Sequence, residues 1–136
     1  RARSLHAAAR ALVERHGGVF PRTRAELRAL PGIGPYTAGA LLSIAFDLAE
    51  PLVDGNVARV LARRFALDLE PGSSAGQREL WRLAAELVPE RRPGDWNQAL
   101  MELGATLCTP RAPRCTECPW AAECEAQARG LVEELP

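Results

Sequence analysis

The chain has 136 residues, 47% hydrophobic and 25% charged, a balance that suits one globular domain, or pieces of two small ones, with a real core. Its 17 basic and 17 acidic residues cancel, which argues against a broad electrostatic grip on a polyanion. No stretch approaches the roughly 20 apolar residues of a membrane span, and no signal peptide precedes the four cysteines, so a cytosolic compartment is expected.

Charge distribution says more than its sum. Arg1 to Arg28 carry seven arginines against Glu14 and Glu26, whereas Leu67 to Pro136 carries seven against twelve acids. A bound polyanion would face the amino-terminal half. Every basic residue is arginine, so the chain has no lysine amine to use in chemistry. It opens on Arg1, already in helical pattern, and stops at Leu135-Pro136 without a closing element. A fragment of a longer protein is expected.

From Ala2 to His16, Leu5, Ala8, Ala9, Leu12 and Val13 fall on one helical face, and Gly17-Gly18 should end that helix. Thr23 stands three residues before Glu26, the capping-box spacing for a short helix up to Ala29. In Leu30-Pro31-Gly32-Ile33-Gly34, proline fixes φ and two glycines can take the positive φ of a hairpin between helices. Such a turn leaves bare N–H groups and the positive end of a dipole at the start of the next helix, a ready phosphate site. This is the helix-hairpin-helix pattern of proteins that grip DNA backbones. Its alternative is a plain connection in which Gly34 serves only close packing.

Pro35 to Phe46 is apolar almost all round, and a helix without a polar face should be buried. Glu50-Pro51 breaks the pattern. Asp54-Gly55-Asn56 then makes a turn before a helix with Val57, Val60, Leu61 and Phe65 on one face and Arg59 and Arg63 on another. Pro71-Gly72 interrupts, Ser74 with Gln77 offers a second capping box, and Leu80, Leu83, Ala84, Leu87 and Val88 mark the next helix. After the loop from Pro89 to Gly94, Asp95 suits an N-cap for a stripe of Trp96, Ala99, Leu100, Leu103 and Leu107. Nothing alternates with period two, so the fold class is all-α.

The cysteines are spaced Cys108-x6-Cys115-x2-Cys118-x5-Cys124. Four thiolates so close in a reducing compartment suggest a metal site rather than two disulfides. One C-x2-C with flanking singles is not the paired-hook arrangement of most structural zinc, nor a common ferredoxin spacing. Ligand chemistry alone leaves zinc and iron–sulfur both open.

The hairpin, Asp54 about twenty residues beyond it and the cysteine tail together resemble the helix-hairpin-helix DNA glycosylases that carry an iron–sulfur cluster. Within that superfamily, Leu30-Pro-Gly-Ile-Gly-Pro-Tyr-Thr-Ala-Gly39, Val53-Asp-Gly-Asn-Val57 and Asn97-Gln-Ala-Leu-Met-Glu-Leu-Gly104 look like the adenine DNA glycosylase (MutY) family. The resemblance covers the whole chain. It implies a partial helix-hairpin-helix glycosylase fold. Residues 1–52 would be part of a helical barrel subdomain with the hairpin at about 24–46, and 53–136 a helical subdomain ending in a cluster loop, 108–124. It also implies a [4Fe–4S] cluster on Cys108, Cys115, Cys118 and Cys124.

What the resemblance implies for function is base-excision repair: hydrolytic removal of adenine mispaired with 8-oxoguanine or guanine, from double-stranded DNA, by a monomeric full-length enzyme in the cytoplasm, nucleoid-associated in a bacterial type of cell. The base must be flipped out, because a stacked base hides its target atoms. Asp54 would be the catalytic carboxylate, stabilising the sugar cation or bonding transiently to its carbon; a plain N-cap is the alternative role. Asn56 would hold sugar or water beside it, unless it is only a turn residue.

Tyr36 matches the position where the endonuclease III class has a Schiff-base lysine, so a monofunctional glycosylase is expected, though Tyr36 could be packing. Leu30, Gly32, Ile33, Gly34 and Thr37 of the hairpin would lie against the DNA backbone. Arg111 and Arg114 would reach phosphate from the cysteine loop, if they are not merely solvated charges. The family's acid, a glutamate that protonates the adenine ring, and its 8-oxoguanine-recognition domain find no match here. Two other readings therefore stand: an inactive DNA-binding fragment, and a thymine or uracil mismatch glycosylase of the same superfamily.

Overall fold

A computed structural model describes residues 2–68, 70 and 72–136. Arg1 and the break expected at Pro71 lie outside the described residues. The described chain is helical throughout, without strands: α1 (Ala2–His16), α2 (Arg24–Arg28), α3 (Pro35–Ala40), a π-helical segment (Leu41–Ala45), α4 (Gly55–Arg64), α5 (Ser74–Leu87), α6 (Pro93–Thr106), two 3-10 turns (Cys115–Glu117 and Ala121–Glu123) and α7 (Glu125–Arg129). No helix among the described residues is long and apolar enough to cross a membrane.

The local signals act largely as their chemistry dictates. Gly17 and Gly18 both take positive φ, and the Gly18 N–H reaches back six residues to Leu12 O at 3.1 Å, closing α1. Thr23 Oγ1 accepts from the Glu26 N–H at 3.3 Å and its hydroxyl bonds the Glu26 carboxylate. Two expected caps shift. Ser73, not Ser74, caps α5, accepting from Gly76 N at 3.0 Å. α6 begins at Pro93 rather than after Asp95, because proline's fixed φ suits the first helical position. Asp95 instead lies in the first turn and pairs with Arg92 at 2.6 Å.

Two buried clusters form the core. Ala11, Leu12, Leu27, Leu30, Ala38 and Leu42 pack α1 onto the hairpin, and a larger one joins Leu52, Val53, Val57, Val60 and Leu61 to Leu80, Leu83, Ala84 and Leu100. α6 bridges them, packing on both α4 and the π-helical segment. Its buried line is not the apolar stripe read from the sequence: Ala99 is exposed, and Gly94, Asn97, Leu100 and Gly104 face inward. The two glycines allow the close approach, since a Cβ on Gly104 would stand 2.7 Å from Asn56 Cβ.

Pro35 to Phe46 is not the wholly buried helix its composition predicts. Ala38, Gly39, Leu42 and Ser43 are buried, but Tyr36 and Ile44 are 41% and 43% exposed. Ser43 explains part of the departure: its hydroxyl bonds back to Gly39 O at 2.8 Å at the point where α-helix gives way to π. α1 is likewise only half covered, with Leu5 and Val13 of its apolar face open to solvent.

Candidate nucleic-acid and catalytic site

The hairpin is α2, a turn over Leu30–Ile33, and α3. Ile33 N bonds Leu30 O at 3.2 Å, and only Gly32 takes positive φ, at +77°. Gly34 is extended (φ −87°, ψ 179°) and caps α3. Nothing stands within 4 Å of a Cβ built on Gly34, so close packing within this chain is not what calls for glycine there. Pro35 at the first helical position has no N–H, and the following first-turn N–H groups lack intrahelical partners. Gly32 is exposed and Gly34 and Thr37 are half-buried beside them. Leu30 is different: its side chain is buried in the core, and its carbonyl is held by Ile33. Ile33 also packs against that core.

Asp54 sits where the chain enters α4. Its Oδ1 accepts from Val57 N at 2.7 Å, which makes it an N-cap, while Oδ2 takes only a long 3.4 Å contact from Asn56 Nδ2. The carboxylate opens onto a surface cleft that it lines with Val53, Ala58, Arg59 and Gln77. Tyr36 stands apart from this pair on α3, its hydroxyl donating to Met101 Sδ of α6 at 3.6 Å.

From Asn56 a polar connection runs to the cysteine loop. Asn56 Oδ1 accepts from Arg59 Nη2 at 2.9 Å, and Arg59 also donates to Gly104 O and Cys108 O, both at 2.7 Å. Arg63, one turn on and 2% exposed, donates to Thr109 O at 2.8 Å and lies 3.6 Å from Cys108 Sγ. The Cys124 thiol donates to Arg63 O at 3.5 Å. The sequence placed both arginines on one face of α4; what it did not reveal is that this face holds the loop 45 residues away.

All four cysteines are free, half-buried, and line one small cavity together with Arg63. Yet among the described residues no three of His, Cys, Asp or Glu converge closely enough to hold a single ion. Four thiols lining one cavity are a donor set that fits either a [4Fe–4S] cluster or a tetrahedral zinc. Burial, with the neighbouring sulfurs Cys108 and Cys124 adding to it, pushes the Cys115 and Cys118 thiols up, and Arg63 pulls Cys115 and the Trp120 amide pulls Cys118 the other way. Arg111 is exposed; Arg114 is held by Glu117 and by Thr106 O at the end of α6, each at 3.0 Å.

The helix-hairpin-helix motif family matches residues 15–44. The human adenine DNA glycosylase is 52% identical over 99% of this chain, which spans 25% of that protein. Nearly the whole of this chain is thus similar to one segment of the adenine DNA glycosylases. Solved structures agree on the fold: a thermostable thymine-DNA glycosylase superposes with a TM-score of 0.84 at 34% identity, over 94% of this chain and 58% of that one. Endonuclease III in a non-covalent DNA complex gives 0.76 at 26% identity, over 96% of this chain and 59% of that one. The chain covers about a quarter of the human protein and somewhat over half of these two structures.

Proposed function

We propose that this chain is the hairpin- and cluster-bearing part of a base-excision repair enzyme that hydrolyses the N-glycosidic bond of adenine mispaired with 8-oxoguanine or guanine in double-stranded DNA. The observation that carries this is Asp54: a carboxylate with one oxygen fixed by the N-terminus of α4 and the other facing an open cleft. Oδ1 holds the side chain in place. Oδ2 is the oxygen free to stabilise positive charge on the sugar as the bond breaks, or to bond to its carbon. Capping and catalysis are then two duties of one group, and Asn56 supports it from the side.

The open hairpin amides around Gly32, Gly34 and Thr37 would take a phosphate, with Ile33 as the apolar shoulder of the turn and Leu30 as its buried anchor. Arg111 is free to add a phosphate contact. Cys108, Cys115, Cys118 and Cys124 would hold a [4Fe–4S] cluster, which when bound ties the loop 108–124 into one unit. With Tyr36 where a Schiff-base lysine would stand, cleavage of the strand by this residue is chemically closed, and the enzyme is monofunctional.

The likeness to a thymine-DNA glycosylase supports a second reading, excision of mismatched thymine. The deciding assay is single-turnover excision by the full-length protein on duplexes carrying adenine opposite 8-oxoguanine and thymine opposite guanine. Asp54→Asn should abolish excision and leave duplex affinity nearly intact. Excision of thymine alone would replace the adenine reading, and equal loss of binding and excision would make Asp54 only a cap.

A further inference from the structure

The loop that delivers Asp54 is held by a side chain of the hairpin. Glu50 lies four residues before Asp54, and its Oε2 accepts from both Nε (2.8 Å) and Nη2 (2.5 Å) of Arg24 on α2. The same Nη2 donates to Pro51 O at 2.9 Å, and Nη1 lies 3.5 Å from Pro35 O at the start of α3. The guanidinium stacks over the Trp81 ring of α5 at 5.2 Å. One planar group therefore touches both helices of the hairpin, the approach to Asp54, and α5.

Two further contacts make this loop rigid. Buried Asn97 of α6 donates to Glu50 O and to Ser43 Oγ, both at 2.9 Å. Pro51 O fits into the notch left by Gly39 of α3, where a Cβ would come within 2.1 Å of it. Glu50 is thus held by its carboxylate from the hairpin side and by its carbonyl from α6.

Stability is a weak reason for such a pair. Its side chains are 27% and 30% exposed, and partly hydrated ion pairs contribute little to folding. A fork that makes several directional bonds at once instead fixes geometry. We propose that Arg24 and Glu50 are positioning residues, a clamp that sets the distance between the phosphate-binding hairpin and the Asp54 carboxylate. Gripping the backbone and placing the carboxylate at the sugar become one rigid operation. With its charge matched by Glu50, Arg24 is not itself a phosphate contact. This inference rests on the glycosylase reading above.

The test is a double-mutant cycle in the full-length protein, with Arg24→Gln, Glu50→Gln and the pair together, read by single-turnover excision and by duplex affinity across a salt series. Each single variant should slow excision about tenfold, the scale of a sub-ångström misplacement, while affinity stays within about twofold. The double variant should be no slower than either single, because one interaction has been lost twice. The salt slope of binding should not change. Arg24→Lys, which keeps the charge but not the fork, should recover only part of the rate.

Unchanged excision in both single variants would overturn the clamp, as would additive losses or equal losses in rate and affinity. A salt slope reduced by about one in Arg24→Gln would make Arg24 a phosphate contact instead and overturn it as well. Wild-type protein that excises neither base would overturn the glycosylase reading and the clamp together; active wild type with indifferent variants overturns the clamp alone.

Discussion

Arg59 is where removal of one side chain should separate the cysteine loop from the rest of the fold. Arg59→Ala deletes three hydrogen bonds from a charged donor, to Asn56 Oδ1, Gly104 O and Cys108 O, at 2.7–2.9 Å. Bonds from charged groups contribute about 1.5–3 kcal/mol each, and the site is half-exposed, so water will replace part of the loss. Taking the low figure for the two backbone acceptors gives about 3 kcal/mol. That is below the 5–15 kcal/mol of a typical domain, so the helices should stay folded while the loop after α6 opens. Hydrogen exchange at the Cys108 amide, which bonds Leu103 O at 2.8 Å, should accelerate by about 100-fold, and iron per chain should fall with it. Arg59→Lys should recover part of the protection. Wild-type exchange and wild-type iron in Arg59→Ala would refute the assignment of this arginine as the loop's tether.

Other substitutions test the remaining joints. Gly39→Ala drives a methyl into the Pro51 carbonyl, a rigid backbone atom, and should cost about 3 kcal/mol, seen as a lower denaturation midpoint; an unchanged midpoint would mean the two backbones are not in contact. Leu61→Ala, at a fully buried position of the larger cluster, should cost about 2–5 kcal/mol in the same measurement. Cys118→Ser should remove the visible iron–sulfur absorbance, and undiminished iron would exclude that thiolate as a ligand. In metal-free protein, Cys115 and Cys118 titrate above an ordinary thiol, so the folded state holds these protons more tightly than the unfolded chain does. Their alkylation should therefore lag behind that of a model thiol around pH 8–9 and catch up only as pH rises further, and equal rates would contradict the burial argument.

What could be read from the sequence was what is settled within a few residues. Thr23 and Glu26 cap α2, Gly17-Gly18 close α1, and Asp54 caps α4 because each acts on backbone three to six positions away. Where two similar residues compete, local reading slips by one, as with Ser73 for Ser74. Apolar periodicity misplaced the inner line of α6, because the contact with α4 and the π-helical segment needs small residues and one satisfied amide rather than large apolar groups. The same limit applies to Tyr36 and Ile44: composition gives a preference for burial, not the partner that would supply it. The arginines were the least legible. Arg24 finds Glu50 at a separation of 26 residues, and Arg59 finds Cys108 at 49, distances over which charge spacing carries no signal.

α4 shows why the site is organised as it is. Its first turn fixes Asp54, its apolar face fills the larger core through Val57, Val60 and Leu61, and its third face carries Arg59 and Arg63 onto the cysteine loop. A ten-residue helix thereby makes the carboxylate, the core and the cysteine loop share one frame. The consequence is an order of failure. Changes at Asp54 should remove excision and leave the loop intact, because the Val57 amide it caps is one bond on a helix already anchored by its buried face. Changes at Arg59 or Arg63 should release the loop first and weaken excision only through it. If losing Arg59 abolished excision with the loop and its iron unaltered, the arginine would have to act directly on the Asn56–Asp54 pair, to which it is joined at 2.9 Å.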